Sequence, residues 1–163
     1  MEKFFDLNTE KKLAFYIGVS EKCITLEENE YKYEVIKNAL DYCWEWLINQ
    51  KYDGEFFYEL LDNEEDGITV ISEMNDNEIE NAIFNCVIDT VAFTSRVAFD
   101  KNNAKYYPEP IALVDDELVN HLLKCLDICF YKDDFVGDLL DYLVSVKADN
   151  YLEWKNQIKN MIK

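Results

Sequence analysis

Chain breakers are scarce in this sequence, with four glycines and two prolines among 163 residues. Folds with many tight turns need more of them, so the scarcity favours long helices. Histidine occurs once, as His121, and arginine once, as Arg96. A single histidine excludes the two Glu-x-x-His motifs by which ferritin-like bundles hold paired metals. There is also no Gly-rich phosphate loop, no serine nucleophile elbow and no H-E-x-x-H. An enzyme is therefore not expected, and neither is a cofactor. No C-x-x-C occurs, and the five cysteines (Cys23, Cys43, Cys86, Cys125 and Cys129) are odd in number and fall within apolar helical patterns. They read as reduced, buried thiols of a cytosolic protein. The N-terminal MEKFFDLNTEKKLAFYIGVSEK lacks a signal-peptide layout. No stretch reads as the ~20 apolar residues that cross a bilayer, so the expected location is the cytoplasm, away from membranes.

What is abundant is aromatic and acidic. Ten Phe, eleven Tyr and three Trp accompany a hydrophobic content of 49%, enough for one domain over residues 1–163 with a sizeable core. Acids outnumber bases 34 to 16, for a net charge of −18. Such a chain repels phosphate backbones, which argues against nucleic acid as a partner. It attracts basic proteins and speeds their encounter. The excess is concentrated. From Tyr52 to Ser95 there is no Lys, Arg or His, while twelve acids fall in that window. An ordinary solvated face interleaves both signs, because like charges at close range destabilise a fold. One-sided charge of this density suggests a use for the field.

Helical periodicity dominates. Helices are expected from about Asn8 or Thr9 to Leu26, Asn29 to Gln50, Gly54 to Asn63, Asn77 to Phe99, Asp115 or Asp116 to Tyr131, Asp133 or Asp134 to Lys147, and from Asp149 onward. The fourth is apolar on nearly every side in its later part, which places it inside the bundle. The linker KNNAKYYPEPIALV holds both prolines and is expected to be irregular. In GITVISEM the β-branched residues allow a short strand-like or irregular segment near 68–72, although a turn leading into helix is favoured. The expectation is a single compact all-α bundle of about six to eight helices.

Four groups of residues invite a functional reading. Asp62, Glu64, Asp66, Gly67 and Glu73 occupy positions 1, 3, 5, 6 and 12 of a calcium loop. However, Thr69 stands at position 8, where an apolar residue belongs, and the paired second loop is missing. A calcium-binding regulatory protein is therefore an alternative rather than the preferred function. His121, Cys125 and Cys129 form H-x-x-x-C-x-x-x-C, which suggests zinc or a Cys–His nucleophile. Three ligands on one helix drift around its axis and a fourth is lacking, so core packing is favoured. Asn85, Asp89 and Arg96 make a polar line on the buried helix, and an unpaired charge there is costly, so a structural ion-pair network is expected. The last group is the acidic surface itself. Charge and expected exposure select Tyr58, Asp62, Glu64, Glu65, Asp66, Asp76, Glu78 and Glu80 as the partner-facing residues, with Tyr52, Phe56 and Phe57 near enough to serve as anchors. A general acidic nucleic-acid mimic is a further alternative.

ALDYCWEWL (39–47), YELLDNEED (58–66), IFNCVIDTVAFTS (83–95) and PEPIALVDDE (108–117), in that order and spacing, resemble the all-α family numbered six of bacterial polymorphic-toxin immunity proteins. Cys-Trp-x-Trp at 43–46 is the most specific piece. The resemblance implies a cytoplasmic inhibitor, encoded beside a secreted toxin, that binds the toxin's C-terminal domain and blocks it. Many such toxins are nucleases with basic clefts, which an acidic patch can occupy. Cys43, Trp44 and Trp46 match the family's pattern and are assigned to packing, with Trp46 on the inward stripe. The choice of toxin-facing residues rests on charge, since immunity surfaces differ between relatives.

Overall fold

A computed structural model describes all residues 1–163. The chain forms ten α-helices and no strand: α1 Glu2–Phe5, α2 Thr9–Ile24, α3 Glu30–Asn49, α4 Gly54–Asp62, α5 Ile68–Ser72, α6 Glu78–Lys101, α7 Glu109–Ala112, α8 Leu118–Cys129, α9 Phe135–Ser145 and α10 Tyr151–Ile162. The all-α expectation is met, and the count of six to eight is corrected to ten. The additional helices are single turns. α1 and α7 are four residues each, too short for a 3.6-residue period to show in the sequence. The linker with both prolines contains α7, which Pro110 tolerates because an N–H in the first helical turn has no partner within the helix. Residues 68–72 are helix α5, so the strand-like alternative is also corrected.

Side-chain caps set the starts of five helices, while α8 and α9 begin without one. Asn8, Asn29, Asp53, Asn77 and Asn150 each accept from the backbone N–H three residues on, satisfying a donor that the first turn leaves open. α3 ends where Gln50 turns left-handed, at φ 51°.

α6 is the axis of the bundle and packs against α2, α3, α4, α5, α7 and α8. Phe84, Val87, Val91 and Ala98 on it are fully buried, and each larger side chain contributes roughly 1.5–3 kcal/mol by leaving water. Contrary to the sequence expectation, α6 is long and apolar enough to cross a membrane by length and composition, but 72% of its apolar window lies inside the protein. Between α2 and α6, Tyr16 stacks on Phe93 at 4.3 Å. Beside that stack, Ser20 Oγ donates to the Cys86 carbonyl, and Thr90 Oγ1 donates to the Tyr16 carbonyl. These two buried hydroxyls are thus satisfied by the facing backbone, whereas the buried Tyr16 hydroxyl has no partner.

Trp44 and Trp46 are both buried. Trp44 Nε1 donates to Glu21 Oε1 at 2.7 Å across the α2–α3 contact. The five cysteines are free; four are buried and Cys129 is half-buried.

Candidate functional site

An open groove lies between α3 and the α4–α5 pair. On α3, Tyr31, Val35, Asn38, Ala39 and Tyr42 recur at steps of three and four and form one face. Leu60 of α4 with Ile68 and Ile71 of α5 close the opposite side. The groove has a volume of about 460 Å³, and its twelve lining residues include two carboxylates, Glu59 and Asp66, and no cation.

An aromatic cluster fixes the distance between the walls. Tyr52 stacks on Phe56 at 4.1 Å, and Tyr42 meets both rings edge-on at 5.2 and 5.1 Å. Tyr52 also donates from its hydroxyl to Glu45 at 2.8 Å. Phe57 is fully buried, so it packs the core and is withdrawn as a partner anchor.

The acidic turn between α4 and α5 is tied by its own backbone. Asn63 Oδ1 accepts from the N–H groups of Glu65 and Asp66, an Asx turn. Gly67 N–H donates to the Asn63 carbonyl at 2.8 Å, and Thr69 Oγ1 donates to the Leu61 carbonyl at 2.6 Å. A Cβ on Gly67 would lie 2.6 Å from both carbonyl oxygens, so only glycine lets the chain close this tightly. Held in this way, Glu64, Glu65 and Asp66 project into solvent. The same geometry removes the calcium reading. The twelve-residue loop that it needs does not exist, because residues 68–72 are helix and Glu73 caps its end.

Of the twelve acids between Tyr52 and Ser95, ten take no ion pair. The exceptions are Glu80 and Asp89. Glu80 meets Lys32 at 2.8 Å with both side chains largely covered, and Lys32 also donates to Asn75. Glu80 is therefore a strut between α3 and α6 and is withdrawn from the expected partner-facing set. Asp62 accepts from the Tyr58 hydroxyl at 2.9 Å, so Tyr58 and Asp62 form a unit on the exposed side of α4. Asp76 and Glu78 lie elsewhere, lining a second cleft of about 520 Å³ with Asn81, Asn85, His121 and Lys124. Glu78 also sits in the first turn of α6, where the helix dipole favours an acid.

The polar line on α6 disperses to separate partners. Asp89, buried, meets His121 Nδ1 at 2.6 Å. Burial pushes the Asp89 carboxyl up to about 6, against the pull of His121. Burial disfavours a charged His121, but the hydrogen bond and charge of Asp89 outweigh it and raise the imidazole. Arg96 pairs with Asp100 and donates to the Ala112 carbonyl at 2.9 Å, anchoring the end of α7. His121, Cys125 and Cys129 do not converge on one point. Cys125 lies against Cys86 and Cys129 against Cys23, and no group of three potential ligands is arranged to hold a metal ion.

Sequence reasoning missed the groove. Val35, Ala39 and Tyr42 are recognisable in the sequence as an apolar stripe, but its continuation to Trp46, which is buried, makes the whole stripe read as core. The signal was available in Tyr31, four residues before Val35 and 59% exposed, which extends the stripe beyond the core.

A helical body that presents an open, acid-rimmed groove has the form of a protein-binding module. A family model described as Immunity protein Imm6 matches residues 11–129, a span that contains the groove, the acidic turn and the second cleft. The chain belongs to this family of immunity proteins, which bind a cognate toxin and act as inhibitors rather than enzymes. No curated protein and no solved structure matches it.

Proposed function

We propose that the protein neutralises its toxin in the producing cell's cytoplasm by a stoichiometric complex formed through the acidic surface around α4 and α5. The observation that carries this reading is the set of ten unpaired acids between Tyr52 and Ser95. Their mutual repulsion destabilises the fold, and a basic partner relieves it. The field of such a surface raises the rate at which a cationic domain arrives. An inhibitor that must act before damage occurs benefits from that rate. The partner is accordingly a basic toxin C-terminal domain, and a nuclease cleft is the natural form of one, since it is already built to attract negative charge.

Tyr58, Asp62, Glu64, Glu65 and Asp66 form the main contact region. Asp76 and Glu78, beside the second cleft, extend the field rather than the contact. The direct test is co-expression with the toxin domain encoded beside the gene. Survival of the host and recovery of a one-to-one complex are expected. Death of the host, with a folded chain that fails to co-purify, contradicts the proposal.

A further inference from the structure

The acidic turn explains how a cationic partner approaches but not what holds it once docked. Exposed charges contribute mainly to association and little to residence. Stable complexes depend on a few large side chains seated in dry pockets. The groove beside the turn has an apolar floor on which such a side chain can seat, and no element of the chain covers it.

The groove volume of about 460 Å³ lies within the ~300–1,000 Å³ of sites that enclose a ligand. The deeper lining is Val35, Ala39, Leu60, Ile68 and Ile71. Its walls are preset by the Tyr52–Phe56 stack and by the hydrogen-bonded turn at Asn63, so an incoming group needs little ordering of the site. Tyr31 stands at the groove with 59% of its surface exposed. Glu59 and Asp66 are the only charged groups that line it, and neither is in an ion pair.

Those features define the occupant. The floor takes an apolar side chain, aromatic or branched aliphatic. The two carboxylates require a cation beside that side chain. A Lys or Arg can lay its methylene stem along Tyr31 while its head reaches Glu59 or Asp66. A second copy of this chain is opposed by its own net charge of −18, which repels at this rim. We propose that the groove receives an apolar side chain projecting from a Lys- or Arg-flanked segment of the toxin domain, with Tyr31 and the α3 face as its binding wall. The proposal rests on the immunity reading above and adds the anchoring site to it.

The test uses the full chain and the neighbouring toxin domain, with association and dissociation rates measured separately. Asn38→Trp fills the groove from an exposed position on α3, and Tyr31→Ala removes the exposed wall. Both replaced side chains face solvent, so the urea midpoint and helical circular dichroism should stay at wild-type values. Each variant is expected to raise the dissociation rate about tenfold or more, the range of a lost hot spot. Association should change less than about threefold, since no charge is altered. Wild-type dissociation rates in both variants would overturn the groove while leaving inhibition intact. A wild-type chain that neither binds nor protects removes both.

Discussion

Trp44 of the Cys-Trp-x-Trp signature donates its indole proton to Glu21, a carboxyl buried in the core between α2 and α3, at 2.7 Å. The other carboxyl oxygen, Oε2, has no partner. Trp44 is thus more than volume in the core, because it donates the one side-chain hydrogen bond that Glu21 receives. Replacing it with Phe leaves Glu21 buried without a donor, which should lower stability by roughly 1–3 kcal/mol in urea denaturation at pH 7. Burial raises the Glu21 pKa, so the folded state holds its proton more tightly than the unfolded chain does. Its contribution to stability is then present below the unfolded value and is lost as pH rises through the folded one. Glu21→Gln should therefore gain on wild type between pH 4 and 7, and a constant difference contradicts this account.

The sole histidine provides a direct probe of the α6–α8 contact. Asp89 holds His121 at 2.6 Å and raises its pKa, so an NMR titration of the single imidazole should give a midpoint above 6.5. Asp89→Asn should lower that midpoint. Raised values on both partners mean that the pair stabilises most at low pH and loses that contribution as pH rises through the folded-state values. The stability of wild type relative to Asp89→Asn should accordingly fall from pH 5 to 8. An unshifted imidazole would show that the contact does not persist in solution.

Gly67 permits the approach of the acidic turn to the backbone of Leu61 and Asn63. The atoms in its way are main-chain atoms, which cannot rotate aside as a side chain would. Gly67→Ala should lower stability by about 1–3 kcal/mol and weaken toxin binding through displacement of Asp66. Hydrogen exchange should localise the loosening to residues 63–72. A variant as stable as wild type contradicts the assigned role.

Glu80 is an acid of this window that serves the fold. Its partner Lys32 and its own side chain are 13% and 15% exposed, so Glu80→Gln removes the carboxylate that pairs directly with a covered ammonium, leaving Lys32 only the charge of nearby Glu27. A stability loss of about 1–3 kcal/mol is expected, with toxin association changed little. Equal stability with slowed association would place Glu80 on the binding surface.

Much of the fold was legible in the sequence. Asn8, Asn29 and Asn77 announced helix starts, and the all-round apolarity of 82–99 announced the central helix. The short α1 and α7 were not legible, because four residues cannot display a helical period. For the site, the acidic turn was visible as composition, whereas the pairing of Glu80 with Lys32 joins residues 48 positions apart. The groove arises only when α3 packs beside α4 and α5, and no single segment carries its pattern. Tyr31, exposed in line with the apolar stripe of Val35, Ala39 and Tyr42, was its one local trace.

In the proposed function, crowded, uncompensated carboxylates bring the toxin to this surface. Stopped-flow association of the toxin domain with wild type and with Glu64→Lys/Glu65→Lys/Asp66→Lys, at low and high salt, reads out this attraction. The reversed variant should associate at least about tenfold more slowly at low salt, and the difference should narrow as salt screens the field. Equal rates at low salt, with both proteins folded, would contradict the account.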